Sequence, residues 1–272
     1  MQVSTSTRPS FPTLLVLIAI TIFATVAAWG QGGTIVGTIH LTGKPMANPI
    51  IRMGADPNCL KLNAGKRVVQ EIVVQSADGG LGNAFVHVSG SFPSAKSGSG
   101  SVTLDQQGCT YHPRILGAQV GQTLIIKNDD STLHNVHSIS KLYHFDQAQP
   151  TAGLTLAVPL KAEEIVLHVK CNVHPWMTGF IGIANNPFYA VSDDTGKFKI
   201  ENVPAGKQTI EVWQERYGVL TQTVEVKAGA TVNVDLSYTG NEQPPAASKL
   251  SPIQEITIPE GTTMVSFVPP SR

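Results

Sequence analysis

The sequence predicts an all-β protein made of two antiparallel β-sandwiches, the second smaller than the first. Three observations predict it. Apolar and polar residues alternate with period two over many short segments. Gly-, Asp- and Asn-rich turn signals separate those segments. No segment after residue 30 keeps a helical period over three turns. Many short strands at such spacing are the pattern of sandwiches and barrels.

In chain order, residues 1–30 come first. Arg8 is the one charge before an apolar run from Leu14 to Trp29, and the small residues Ala27, Ala28 and Gly30 close it. This is the pattern of a secretory signal peptide. The alternative is a retained N-terminal anchor, although the run falls short of the roughly 20 residues that cross a bilayer. No Cys follows it, which argues against a lipid anchor. Either reading puts the rest of the chain in the periplasm or outside the cell, and membrane contact would run through this segment alone. Residues 31–79 form an N-terminal β segment with strands expected at Thr34–Ile39 and Val68–Gln75. Residues 80–186 hold the expected strands Ala84–Ser89, Gln122–Lys127, Ile165–Lys170 and Phe180–Ala184, with turns at Asn128-Asp129-Asp130 and Lys161–Glu164. Residues 187–240 make the second sandwich, with strands at Phe188–Val191, Lys197–Ile200, Gln208–Trp213, Gln222–Val226 and Thr231–Leu236. Residues 241–272 are a Pro-rich flexible tail with one expected strand near Met264–Val268.

Charge narrows the function. Lys+Arg and Asp+Glu are 19 each, so the net charge is zero. A phosphate-binding surface needs a basic excess, so nucleic acid is not an expected partner. Three cysteines are too few for a disulfide scaffold, and an odd number leaves one thiol without an intrachain partner. Cys59 and Cys109 both lie in turn-like sequence, and in an oxidising compartment a Cys59–Cys109 disulfide is expected. That leaves Cys171 as the free thiol.

Cys171 opens the segment that carries chemistry, Cys171-Asn172-Val173-His174-Pro175-Trp176-Met177. A thiol, an imidazole and a thioether fall within seven residues on a loop between two strands. Soft sulfur donors with imidazole select copper, and a His2Cys plane with a weak axial Met is the ligand set of electron-transfer copper centres. Zinc would leave the Met unexplained. The set needs a second His, and Leu133-His134-Asn135-Val136-His137 supplies one after the strand at Gln122–Lys127. A Cys nucleophile activated by His174 would leave Met177 and the second His without a role. A binuclear centre would want a second Cys in the loop, and a copper enzyme would want a further His cluster; neither is present. The expectation is therefore not an enzyme.

The two segments together resemble the cupredoxins, the type 1 blue-copper proteins of amicyanin and plastocyanin type, over roughly residues 80–184. The resemblance implies a Greek-key sandwich and one copper ion held by His134, Cys171 and His174, with Met177 as the weak axial donor. It implies that Asn135 ties the two ligand loops together and supports the Cys171 sulfur, and that Pro175 lies beside the site. Function would be the carriage of single electrons between redox partners such as a cytochrome or a dehydrogenase. Transfer would pass through the edge of His174, flanked by Pro175 and Trp176 as an apolar docking patch. The other reading is a cell-envelope binding or structural module, or a copper-storage protein with no electron-transfer role. His137 lies three residues beyond His134, so alternation turns it to the opposite face; His168 likewise faces away from Cys171.

The run from Asp193 to Gly206 (DDTGKFKIENVPAG), followed by Thr209–Trp213, resembles the carboxypeptidase regulatory-like family, whose fold is a transthyretin-like sandwich. Its residues specify turns and core rather than catalysis. Gly33–Pro45 fits either a strand pair of that same module or the first strands of the copper sandwich.

Overall fold

Alternating burial along the chain sets the strands. Along Gly33–Leu41 every second residue is buried, and Lys197–Ile200 alternates in the same way. The computed structural model describes residues 1–2 and 32–242. The predicted leader (except for residues 1–2) and the Pro-rich tail from residue 243, with the strand expected near Met264–Val268, lie outside the described residues.

The elements are β1 (Gly33–Leu41), α1 (Pro57–Leu62), β2 (Ala84–Ser89), β3 (Ser101–Gln107), β4 (Thr110–His112), β5 (Ile115–Gln119), β6 (Thr123–Asn128), β7 (His134–Ile139), β8 (Asp146–Gln149), β9 (Thr155–Pro159), β10 (Glu164–Lys170), β11 (Thr178–Ala184), β12 (Tyr189–Val191), β13 (Lys197–Val203), β14 (Gly206–Gln214), β15 (Gly218–Val226), β16 (Thr231–Asn233) and β17 (Leu236–Tyr238). The protein is all-β, as the sequence predicts. The six residues of α1 are under two turns, too short to leave a periodic signal.

Among the described residues, four sheets make two sandwiches. In the first, a sheet of order β5-β11-β10-β7-β8 faces one of order β4-β3-β6-β9. Its core includes Leu104, Leu124, Ile126, Val136, Leu167, Val169, Cys171, Met177 and Ile181. In the second, β13-β1-β16 with β17 faces β12-β2-β14-β15, over Ile35, Ile39, Val86, Val88, Ile210, Val212 and Tyr238. At Gly37 a Cβ would stand 1.9 Å from the Val234 carbonyl oxygen, so only glycine lets β1 lie against that chain.

Two segments pair differently from the sequence division. β1 pairs antiparallel with β13 and parallel with β16 and β17. This resolves the open choice for Gly33–Pro45: the strand belongs with the C-terminal strands. β2, which the sequence division places at the head of residues 80–186, pairs instead with β12 and β14 in the second sandwich. Its Phe85 reaches back to Ile115, Phe180, Ala184 and Trp213 in a small apolar cluster that joins the two sandwiches. Beside that cluster the Arg114 guanidinium donates twice to the Glu215 carboxylate, each bond 2.7 Å.

The expected strand Val68–Gln75 is not formed; only the bridges Ile50–Val69 and Gln75–Leu81 touch it. Its backbone is satisfied instead by isolated backbone bonds to Pro49, Ile51 and Gly82 and by side-chain amides. Asn48 both donates to the Val73 carbonyl and accepts from the Val73 amide, and Gln214 and Asn83 donate to the carbonyls of Ile72 and Glu71. Thr231–Leu236 is broken into β16 and β17, which pair with successive stretches of β1.

Candidate metal centre

The site forms at one end of the first sandwich. β7 and β10 run antiparallel, with His137 opposite Lys170, so His134 at the start of β7 and Cys171 just past β10 come to the same end. The loop from Cys171 to Met177 is closed by its own backbone: the Cys171 amide donates to the Met177 carbonyl (3.1 Å), and the Met177 amide donates to that of His174 (2.9 Å). This tight return turns the His174 ring back over Cys171.

His134, Cys171 and His174 are all buried, and their donor atoms lie within 4.8 Å of one another. The two Nδ1 atoms are 3.0 Å apart, and the Cys171 sulfur is 3.9 Å from His174 Nδ1. Backbone amides of Asn135 (3.3 Å) and His174 (3.4 Å) donate to that sulfur. Met177 is fully buried in the same apolar cluster as Cys171. Asn135 ties the loops: its Oδ1 accepts from the Asn172 amide (3.2 Å) and its Nδ2 donates to Asp146 (2.7 Å). Tyr111 steadies the same strand by donating to the Asn135 carbonyl (3.0 Å).

Two residues without a sequence signal complete the site. Asp130 accepts from His134 Nε2 at 2.8 Å, and Asp56 accepts from His174 Nε2 at 3.0 Å. Asp130 is four residues before His134 and reads in sequence only as part of a turn. Asp56 is 118 positions from His174 and is delivered by the Cys59–Cys109 disulfide, which is formed as expected with Cα atoms 5.7 Å apart.

The electrostatics follow from these bonds. Burial opposes ionisation of Cys171, but bonds from His134, His174 and the two amides outweigh it and bring the thiol down from 9.0 to about 6. Burial disfavours the charged rings of His134 and His174, yet their bonds to Asp130, Asp56 and Cys171 raise both. Burial also opposes the Asp56 carboxylate, and the Cys59 amide, His174 and the Asn58 amide draw it down to about 2. An ionised carboxylate only accepts, so each Nε2 carries a proton. The two Nδ1 lone pairs and the sulfur then converge on one point, and only a proton or a cation between them relieves their repulsion. The donor set fits a soft metal ion on this ground.

His174 is only 2% exposed, which corrects the expectation of an open His174 edge. The turn at Asp56–Cys59 covers it, with the Cys59 sulfur 3.6 Å from His174 Nε2. Trp176 is turned inward: its indole donates to the Cys109 carbonyl (2.9 Å) and its ring lies 5.0 Å from that of His174. Pro175, Val173 and Leu133 are the exposed apolar residues next to the site in sequence. His137 stays outside the donor set and bonds Asn172 (3.0 Å). His168 bonds Thr178 (2.7 Å) and stacks on Phe180, away from the cluster.

A family model described as polysaccharide lyase family 4, domain II, matches residues 166–234, which overlaps the block that resembles the carboxypeptidase regulatory-like family. No curated protein matches the chain. Among solved structures, the chain is similar to a purple cupredoxin from Nitrosopumilus maritimus at 24% identity and TM-score 0.26, over 30% of this chain and 97% of that one. It is similar to the copper-containing nitrite reductase of Thermus scotoductus at 21% identity and TM-score 0.27, over 30% of this chain and 22% of that one. It is also similar to an amicyanin variant in its Cu(I) form at 18% identity and TM-score 0.28, over 36% of this chain and 97% of that one. No helix among the described residues is long and apolar enough to cross a membrane.

Proposed function

We propose that this protein holds one copper ion of type 1 character and carries single electrons between redox partners outside the cytoplasm. The observation that carries the reading is the convergence of the buried donors of His134, Cys171 and His174 within 4.8 Å, with Met177 buried in the same cluster. Copper, when bound, supplies a one-electron couple. The chain's own residues set its conditions. Cys171 is readily ionised because the backbone amides of Asn135 and His174 donate to its sulfur, and the proton it shares with the imidazole Nδ1 atoms is the one a metal ion would displace. His134 and His174 present Nδ1 because carboxylates hold Nε2. Met177 offers a soft thioether, and the surrounding apolar side chains exclude water.

Rigid donors favour fast transfer. Both histidines are anchored at the far nitrogen, and the loop Cys171–Met177 is pinned by its backbone bonds and by Asn135. Little need move when the charge at the site changes by one. A partner of cytochrome or dehydrogenase type would approach over Leu133, Val173 and Pro175. The apolar leader and the disulfide support an exported, periplasmic or extracellular location.

Film voltammetry of the copper-loaded protein tests the carrier role. A reversible one-electron couple with fast exchange supports it. Tight copper binding with no reversible couple contradicts it and assigns a storage or structural role.

A further inference from the structure

The two histidines of the donor cluster are backed in the same way, and one covalent link joins the two backings. Asp130 Oδ2 accepts from His134 Nε2 and from the Cys109 amide (2.7 Å), and its Oδ1 accepts from the Gly108 amide (2.8 Å). Asp56 Oδ2 accepts from His174 Nε2 and from the Thr132 hydroxyl (3.3 Å), and its Oδ1 accepts from the amides of Asn58 (2.8 Å) and Cys59 (3.0 Å). Each carboxylate is thus locked by the amide of one disulfide cysteine. Cys59 and Cys109 are both fully buried, so the link fixes the spacing of the two aspartates on either side of the donor cluster.

We propose that Asp56, held on the disulfide-linked turn, is a positioning residue that keeps the proton of His174 on Nε2 and so leaves Nδ1 free for the metal. This deepens the copper reading and rests on it. The turn comes from residues 31–79, outside the stretch that carries the ligands. The N-terminal segment therefore has a role at the site and does more than cover it. Partners of this kind that orient a metal-binding imidazole are typically worth 10–100-fold in metal affinity.

Asp56→Asn is the decisive variant because it keeps the shape and inverts one bond. Its oxygen still accepts from the Asn58 and Cys59 amides, so its amide nitrogen faces His174 Nε2 and donates to it. Nε2 must then accept, and the proton moves to Nδ1, where it blocks the metal. Asp56→Ala removes the bond without imposing the wrong one. Two readouts apply. In the metal-free protein, long-range 1H–15N spectra of the His174 ring show a protonated Nε2 in the wild type and an unprotonated Nε2 in Asp56→Asn. In chelator competition with Cu(I), Asp56→Asn loses about 10–100-fold in affinity and loses more than Asp56→Ala. A protonated Nε2 in Asp56→Asn, or an equal or larger affinity loss in Asp56→Ala, overturns the proposal and leaves Asp56 as a helix cap. The ring spectra need no metal, so they judge Asp56 even where copper fails to bind. A wild type that binds copper while the variants change neither readout refutes the role of Asp56 and leaves the copper reading standing.

Discussion

Replacing Cys59 and Cys109 together by Ala tests how far the disulfide holds the site end of the first sandwich. The link closes a loop with a sequence separation of 50. In the chain-entropy treatment a loop of that size costs the unfolded chain about 14 cal/mol/K, or about 4 kcal/mol at 25 °C. Both sulfurs are fully buried in the first sandwich's core, so the voids left by Ala add to that figure. Other contacts keep the turn docked. Asn63 donates to the carbonyls of Cys59 (2.9 Å) and Gly108 (3.0 Å), and Trp176 donates to that of Cys109. The variant therefore folds, and its melting temperature falls by at least about 8–16 °C, at about 2–4 °C per kcal/mol for a protein of this size. Thermal unfolding followed by circular dichroism, with oxidised wild type beside the double variant, measures this. A loss under about 3 °C would refute the reasoning, because the unfolded chain would then gain little freedom from the cut.

Two further outcomes rest on other parts of the fold. His168 is buried near Lys170, Arg114 and His137, and burial first, then the neighbouring positive charge, lower it from 6.5 to about 4. The unfolded chain takes up a proton there that the folded chain refuses, so stability falls as pH drops from about 6.5 to 4, by about 3 kcal/mol in all. His168→Phe keeps the stack on Phe180 and removes that slope; an unchanged acid slope in urea titrations would contradict the assignment. Gly182 lies where a Cβ would stand 2.6 Å from three carbons of the Phe85 ring. Gly182→Ala is expected to cost about 1–3 kcal/mol, and adding Phe85→Leu should recover part of it. Simple additivity of the two substitutions in a double-mutant cycle would show that the ring is not the obstacle.

The legible parts of the fold were the strands whose burial alternates. The sequence marks β2 with its observed bounds, and β1, β6, β10, β11, β13 and β14 each in their core stretch. Among the strands the sequence does not mark, β4 has only three residues, β5 and β7 are largely buried but lack period-two alternation, and the rest are mostly exposed or half-exposed. β8 (DQAQ) has three of four residues exposed, and β3 and β9 present mostly exposed or half-exposed residues, so no apolar period marks them. Val68–Gln75 is the opposite case: it is rich in β-branched residues, but side-chain amides and isolated backbone bonds to Pro49, Ile51 and Gly82 satisfy it without a full neighbour strand. At the site, the four expected ligand residues are legible because three share one short loop and the fourth lies in the Leu133–His137 segment that supplies the second imidazole. Asp56 was not, since its meaning depends on a contact across 118 positions. The covered His174 edge was missed with it, because the same turn supplies both.

Cu(II) titration of the metal-free protein, followed by visible absorption, tests the central claim most directly. The account predicts an intense thiolate-to-copper band in the red that saturates at one equivalent and is lost in Cys171→Ser. No intense band in the wild type, or a band that survives Cys171→Ser, would contradict it.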